Sequence, residues 1–79
     1  MSKYDDWIAM WVATHDVRYK CVETTQEMVK AFPELTRVSG YYHDHFGVPH
    51  WWCVTPDGEI VDPTVSQFDN RVGTYKAKL

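Results

Sequence analysis

No run of residues in this chain is apolar for long enough to cross a membrane. The stretch Met1-Ser2-Lys3-Tyr4-Asp5-Asp6 also lacks the apolar core of a signal peptide. The expected compartment is therefore the cytoplasm, with no membrane partner. Basic residues are scarce: eight Lys and Arg stand against eleven Asp and Glu, for a net charge of -3. They form no stripe, so a nucleic-acid partner has no electrostatic support. Cysteine is limited to two residues, Cys21 and Cys53. In a reducing compartment they are expected as free thiols rather than a structural disulfide. Glycine and proline number four each, too few for a low-complexity linker, and nothing repeats.

What the chain does have is aromatic surface. Four Trp lie among 79 residues, and aromatics make up 15% of the chain. A short chain buries little of its own surface, and large rings supply burial from few positions. One globular domain over 1–79 is expected, with homo-oligomerisation as a means of covering leftover apolar area.

Ser2 followed by Asp5 reads as a capping box with Asp in place of Glu, which starts a helix near Lys3. Tyr4, Trp7, Ile8, Trp11 and Val12 fall on one face of it, and the helix fades between Thr14 and Asp16. A second helix runs from Cys21 to Phe32, with Cys21, Thr24 or Thr25, Met28 and Phe32 along one face. Pro33 ends it. Thr36 to Tyr42 is rich in β-branched and aromatic residues and reads as a strand. His43 to Pro49 reads as a loop, and Val65 to Phe68 as a short helical turn before an extended tail. The order predicts an α+β fold, with two N-terminal helices packed on a small three-stranded antiparallel sheet.

The second and third strands form a hairpin whose register follows from its turn. Pro56-Asp57-Gly58 suits a type I turn closed by a left-handed glycine, which gives a G1 bulge. Thr55 then faces Glu59, Val54 faces Ile60 and Cys53 faces Val61. Alternation places His50, Trp52, Val54, Ile60, Asp62 and Thr64 on one face. His50 and Asp62 become diagonal neighbours roughly 7–8 Å apart at the backbone, within reach of an imidazole–carboxylate contact. Cys53 falls on the other face.

Three chemistries compete for these residues. Cys21 at a helix start, His50 and Asp62 have the composition of a nucleophile, its base and an orienting acid. A helix N-terminus favours a thiolate, and His50 meets Cys21 if the second helix packs over the His50 face. The plainer alternative is a buried cysteine and a structural His–Asp pair. A third option is metal binding by His43, Asp44, His45, His50 and Cys53. Their spacing matches no common zinc pattern, and no metal or other cofactor is expected. Tyr41, Tyr42, Trp51 and Trp52 read first as packing residues, with Trp52 the one to line a cleft because it shares the His50 face.

A cysteine opening a helix, then histidine on a strand, then aspartate on the next strand resembles the papain-like superfamily in its transglutaminase-like branch. The region from His50-Trp51-Trp52 through Asp57-Gly58 to Asp62-Pro63-Thr64 carries the resemblance. The chain is also similar to short phage and bacterial proteins with Cys in a helix, Phe-Pro-Glu-Leu, Gly-x-Tyr-Tyr, His-Trp-Trp and Asp-Pro-Thr-x-x-Gln-Phe. Here these are Cys21, Phe32 to Leu35, Gly40 to Tyr42, His50 to Trp52 and Asp62 to Phe68. The flanks Tyr19-Lys20 and Val22 depart from the usual neighbours of a transglutaminase cysteine.

The resemblance implies a minimal papain-like core with Cys21 as nucleophile, His50 as base and Asp62 as orienting acid. It implies acyl transfer from an amide or related acyl bond, by hydrolysis or transfer to an amine. The substrate would be a peptide or small amide. The oxyanion donor defaults to the Cys21 backbone N–H, with Tyr19 and Gln67 as side-chain candidates. The rival from another class is a catalytically inactive interaction module, a phage accessory protein that keeps the fold and binds a host protein.

Overall fold

The computed structural model describes residues 2–43, 47–67 and 73–78. Helix α1 spans Lys3–Thr14. Its capping box forms as the sequence predicts, with Asp5 N–H donating to Ser2 Oγ at 3.1 Å and Ser2 N–H to Asp5 Oδ2 at 3.4 Å. Helix α2 spans Cys21–Ala31 and ends at Phe32, the residue that Pro33 keeps out of helical geometry. Strands β1 (Thr36–His43), β2 (Gly47–Val54), β3 (Ile60–Val61) and β4 (Thr74–Ala77) build one sheet in the order β3-β2-β1-β4. A short 3-10 turn, Val65–Gln67, lies between β3 and β4. The fold is α+β, and every strand pairing is antiparallel.

The expected sheet of three strands is corrected to four. The tail segment Thr74–Ala77 is too short and polar to announce itself as a strand, and it becomes one by pairing with the free edge of β1. The register is Gly40 with Ala77 and Tyr42 with Tyr75. Likewise β2 begins at Gly47, within the segment expected as loop, because β1 continues to His43 and pairs with it. Asp44 and His45, part of the metal-ligand set considered above, lie outside the described residues, as does Phe68.

The hairpin register matches the sequence derivation. Cys53 pairs with Val61 and Val54 with Ile60. Thr55 N–H donates to Glu59 O at 2.9 Å, and Gly58 holds a φ of 89°. That angle is open to glycine at little cost. The ladder ends at Val61, so β2 from Trp52 back towards Gly47 has no strand partner on its outer edge among the described residues.

The packing corrects the placement of α2. Met28, Leu35 and Cys53 form the buried cluster, with Tyr4, Trp7, Ile8, Phe32 and Val61 packed against it. The helix thus covers the face that bears Cys53, not the face of His50 and Trp52. Arg37 fastens α2 to this face: its Nε donates to Thr25 Oγ1 at 3.0 Å, and its guanidinium lies 4.2 Å from the Trp51 ring centre. Thr25 in turn donates to the Cys21 carbonyl at 2.7 Å.

Gly40 is where β4 sets a steric limit. A Cβ there would lie 2.2 Å from the Lys76 carbonyl oxygen and 2.8 Å from Ala77 Cα. Backbone atoms of a paired strand cannot yield as a flexible side chain does. Gly40→Ala is therefore expected to cost about 1–3 kcal/mol, the range for overpacking. Urea denaturation measures it, and loss of amide protection concentrated in Thr74–Ala77 is the specific sign.

Candidate functional site

His50 and Asp62 meet as the register requires, with His50 Nε2 2.7 Å from Asp62 Oδ2 and both residues buried. The contact forms past the end of the β3 ladder, where the chain turns at Pro63-Thr64. Thr64 ties that turn to Asp62. Its N–H donates to Asp62 Oδ1 at 3.0 Å and its hydroxyl to the same oxygen at 3.3 Å. Asp62 Oδ2 also accepts the Tyr75 hydroxyl at 2.8 Å. Both carboxylate oxygens are therefore engaged, which is what a buried acid needs to avoid a large desolvation loss.

The surroundings of His50 are aromatic. Its ring lies 6.1 Å from Trp52, 6.2 Å from Tyr42 and 6.4 Å from Tyr75, centre to centre. Trp52 and Tyr75 pack edge to face at 5.0 Å. Trp52 is thus a wall of the His50 chamber and is buried, not a cleft residue. Trp51 and Tyr41, on the opposite alternation, line the open cleft instead. Tyr75 is the functional neighbour that sequence reading missed. The one available signal was that Thr74–Ala77 could pair with β1, which would have set Tyr75 opposite Tyr42.

Cys21 reaches His50 from the sheet edge. Beyond the end of β3 the outer edge of β2 is open, and the first residue of α2 docks there. The thiol hydrogen-bonds with the His50 ring and with the Trp51 backbone. Asp62 occupies Nε2 of His50, so Nδ1 is the ring nitrogen left for the sulfur. Cys21, His50 and Asp62 are thereby brought together in the order that the sequence suggested, although not by the helix placement assumed for it.

The electrostatics separate the two cysteines. Burial alone would raise the Cys21 pKa, but the bonds with His50 and the Trp51 backbone outweigh it and the value is lowered. Cys53 is fully buried, and burial pushes its thiol up to about 11. Neither is in a disulfide. For His50, burial opposes the charged ring, yet the bonds with Asp62 and Cys21 raise it to about 9. Burial, reinforced by the Asp62 charge, holds the Tyr75 phenol above its ordinary range, so it remains a donor to the carboxylate. These shifts favour an imidazolium beside a thiolate.

Two clefts flank the Cys21–His50 pair. The larger, about 360 Å³, is lined by Val22, Tyr41, Pro49, Trp51 and Lys78. The smaller, about 260 Å³, is lined by Arg18, Tyr19, Val48 and Gln67. Cys21 is half-buried and borders both. Of the side-chain oxyanion candidates, Tyr19 points outward at 92% exposure, on a residue with a φ of 61°. Gln67 ties the turn after β3 to the segment before α2: its Nε2 donates to Thr64 Oγ1 at 3.0 Å, and its Oε1 accepts Tyr19 N–H at 3.3 Å. Helix α2 has no side-chain cap, which leaves its first-turn amides beside the sulfur as donors. Among the described residues no group of three or more His, Cys, Asp or Glu is placed to hold a metal ion. No described helix is long and apolar enough to cross a membrane.

The titration of His50 gives a signed expectation. Its folded pKa of about 9 exceeds the ordinary 6.5. Its contribution to stability is therefore complete below pH 6.5 and is lost as pH rises through about 9. Imidazole NMR is expected to show the late titration in the wild type and an earlier one in Asp62→Asn. Tyr75→Phe removes one donor from Asp62 and is expected to cost about 0.5–1.5 kcal/mol in denaturation, with a shifted His50 titration.

Compared with family models, curated proteins and solved structures, the chain matches none.

Proposed function

We propose that the protein is a cysteine-dependent hydrolase or acyltransferase acting on amide or related acyl bonds, with a minimal papain-like, transglutaminase-like arrangement. The observation that carries this reading is a thiol of lowered pKa, bonded to a histidine whose other nitrogen is held 2.7 Å from a buried aspartate. A structural cysteine is typically sealed and unreactive, as Cys53 is here; Cys21 opens onto two clefts.

The chemistry follows from the geometry. The Cys21 thiolate attacks the acyl carbon, and the carbonyl electron pair moves onto oxygen to give a tetrahedral oxyanion. The uncapped amide N–H groups at the start of α2 are backbone donors available to that charge. The imidazolium of His50 gives its proton to the departing amine as the C–N bond breaks, leaving a thioester on Cys21. Neutral His50 then takes a proton from water, which yields an acid, or from a second amine, which yields a new amide. Either attack releases the thiolate and restores the imidazolium. Asp62 keeps the ring oriented with Nδ1 towards the sulfur and stabilises its charged form. Thr64 and Tyr75 hold Asp62.

The test is reaction with iodoacetamide, with the modified cysteine identified by peptide mapping. Cys21 is expected to react at about pH 6, where an ordinary thiol is almost wholly protonated. His50→Ala is expected to slow it by ~10-fold or more, since each unit of thiol pKa changes the thiolate fraction about tenfold in this range. A Cys21 that reacts no faster than a free thiol and is indifferent to His50→Ala sinks the proposal and leaves the inactive binding module in its place. Once a substrate is in hand, Asp62→Asn is expected to lower kcat by ~10²-fold or more, with KM little changed.

A further inference from the structure

The protein carries a net charge of -3, yet the sign is reversed at its clefts. In the larger cleft the one charged residue in the described lining, outside the Cys21–His50 pair, is Lys78; in the smaller it is Arg18. No described carboxylate lines either one. The acids lie elsewhere: Asp5 and Asp6 in the first turn of α1, Glu23 and Glu27 on α2, and Glu34 bound to Lys3 and Tyr4. Asp62 sits on the far side of His50 with both oxygens engaged. Arg18 has Asp16 beside it at 3.8 Å, both well exposed, which offsets part of its charge at the smaller cleft. Lys78 has no ion pair among the described residues.

Lys78 is fixed at the rim by its backbone. Its N–H donates to Ser39 O at 2.9 Å, extending the β1–β4 pairing past Ala77. Lys78 therefore borders the same cleft as Trp51, Tyr41 and Val22. An apolar lining with Lys78 at its edge and the Arg37 guanidinium 4.2 Å from the Trp51 ring centre, on a protein otherwise acidic, favours anions over cations in the cleft.

We infer that the acyl donor carries an anionic group, such as a carboxylate, next to an apolar or aromatic portion, with Lys78 pairing to the anion and Trp51 and Tyr41 contacting the apolar part. This deepens the proposed acyl-transfer reading and rests on it. Lys78 acts here as a specificity-determining residue that leaves the thiol chemistry untouched.

Two methanethiosulfonate reagents of similar size, one ending in a sulfonate and one in a trimethylammonium, provide the probe. Their rates at Cys21 are compared, with the site of labelling mapped by mass spectrometry. The wild type is expected to favour the anionic reagent. Lys78→Gln keeps the backbone bond and is expected to lower the anion-to-cation rate ratio several-fold, as is high salt, with a smaller change in the rate of the neutral reagent iodoacetamide. A ratio indifferent to Lys78→Gln, or a preference for the cation, overturns the inference while His50-dependent alkylation leaves the catalytic reading standing. Slow reaction with both reagents at the rate of a free thiol, indifferent to His50→Ala, removes the two together.

Discussion

A histidine and an aspartate buried side by side make a demand that the rest of this small structure is arranged to meet. Removing either from water without partners costs several kcal/mol. Asp62 is therefore surrounded by donors from three places: the His50 ring on β2, the Thr64 amide and hydroxyl in the turn after β3, and the Tyr75 hydroxyl on β4. The aromatic rings of Tyr42, Trp52 and Tyr75 close the chamber around the imidazole. This arrangement gives β4 its place in the site: besides extending the sheet, it brings the one phenol that completes the Asp62 shell.

The short third strand matters for the opposite reason. Because the β3 ladder stops at Val61, β2 keeps an open edge beside His50. A longer β3 would occupy the ground where the start of α2 docks. The Trp51 backbone bonds the sulfur there, in place of a ladder partner. The helix is held against the sheet by Arg37, Thr25 and the cluster around Met28. The side of the sheet that anchors the helix is thus distinct from the side that holds the imidazole, and Cys21 at the helix tip joins them.

The two cysteines show how position alone sets two thiols apart in burial and in the direction of their pKa. Cys53 packs with Met28 and Leu35, and its thiol is raised by burial. Cys21 has a charged partner and an opening to solvent, and its thiol is lowered. Residue type is the same for both. The difference lies in one alternation of β2 and one helix end.

Much of this was legible in the chain. Pro56-Asp57-Gly58 determined the hairpin register, because a glycine in the left-handed region fixes which residues face one another, and the meeting of His50 with Asp62 followed. Ser2 with Asp5 and Pro33 determined the helix limits through local hydrogen bonding and ring geometry. Nonlocal pairing decided what remained. Thr74–Ala77 became a strand only because β1 offered an unpaired edge, so neither the fourth strand nor the Tyr75 bond could be read from local pattern. The face that α2 covers was settled by the packing of Met28 against Cys53, which no single helix stripe specifies. The approach of Cys21 to His50 was settled by where β3 stops. Local chemistry chose the residues, and long-range packing chose the direction from which the thiol meets the ring.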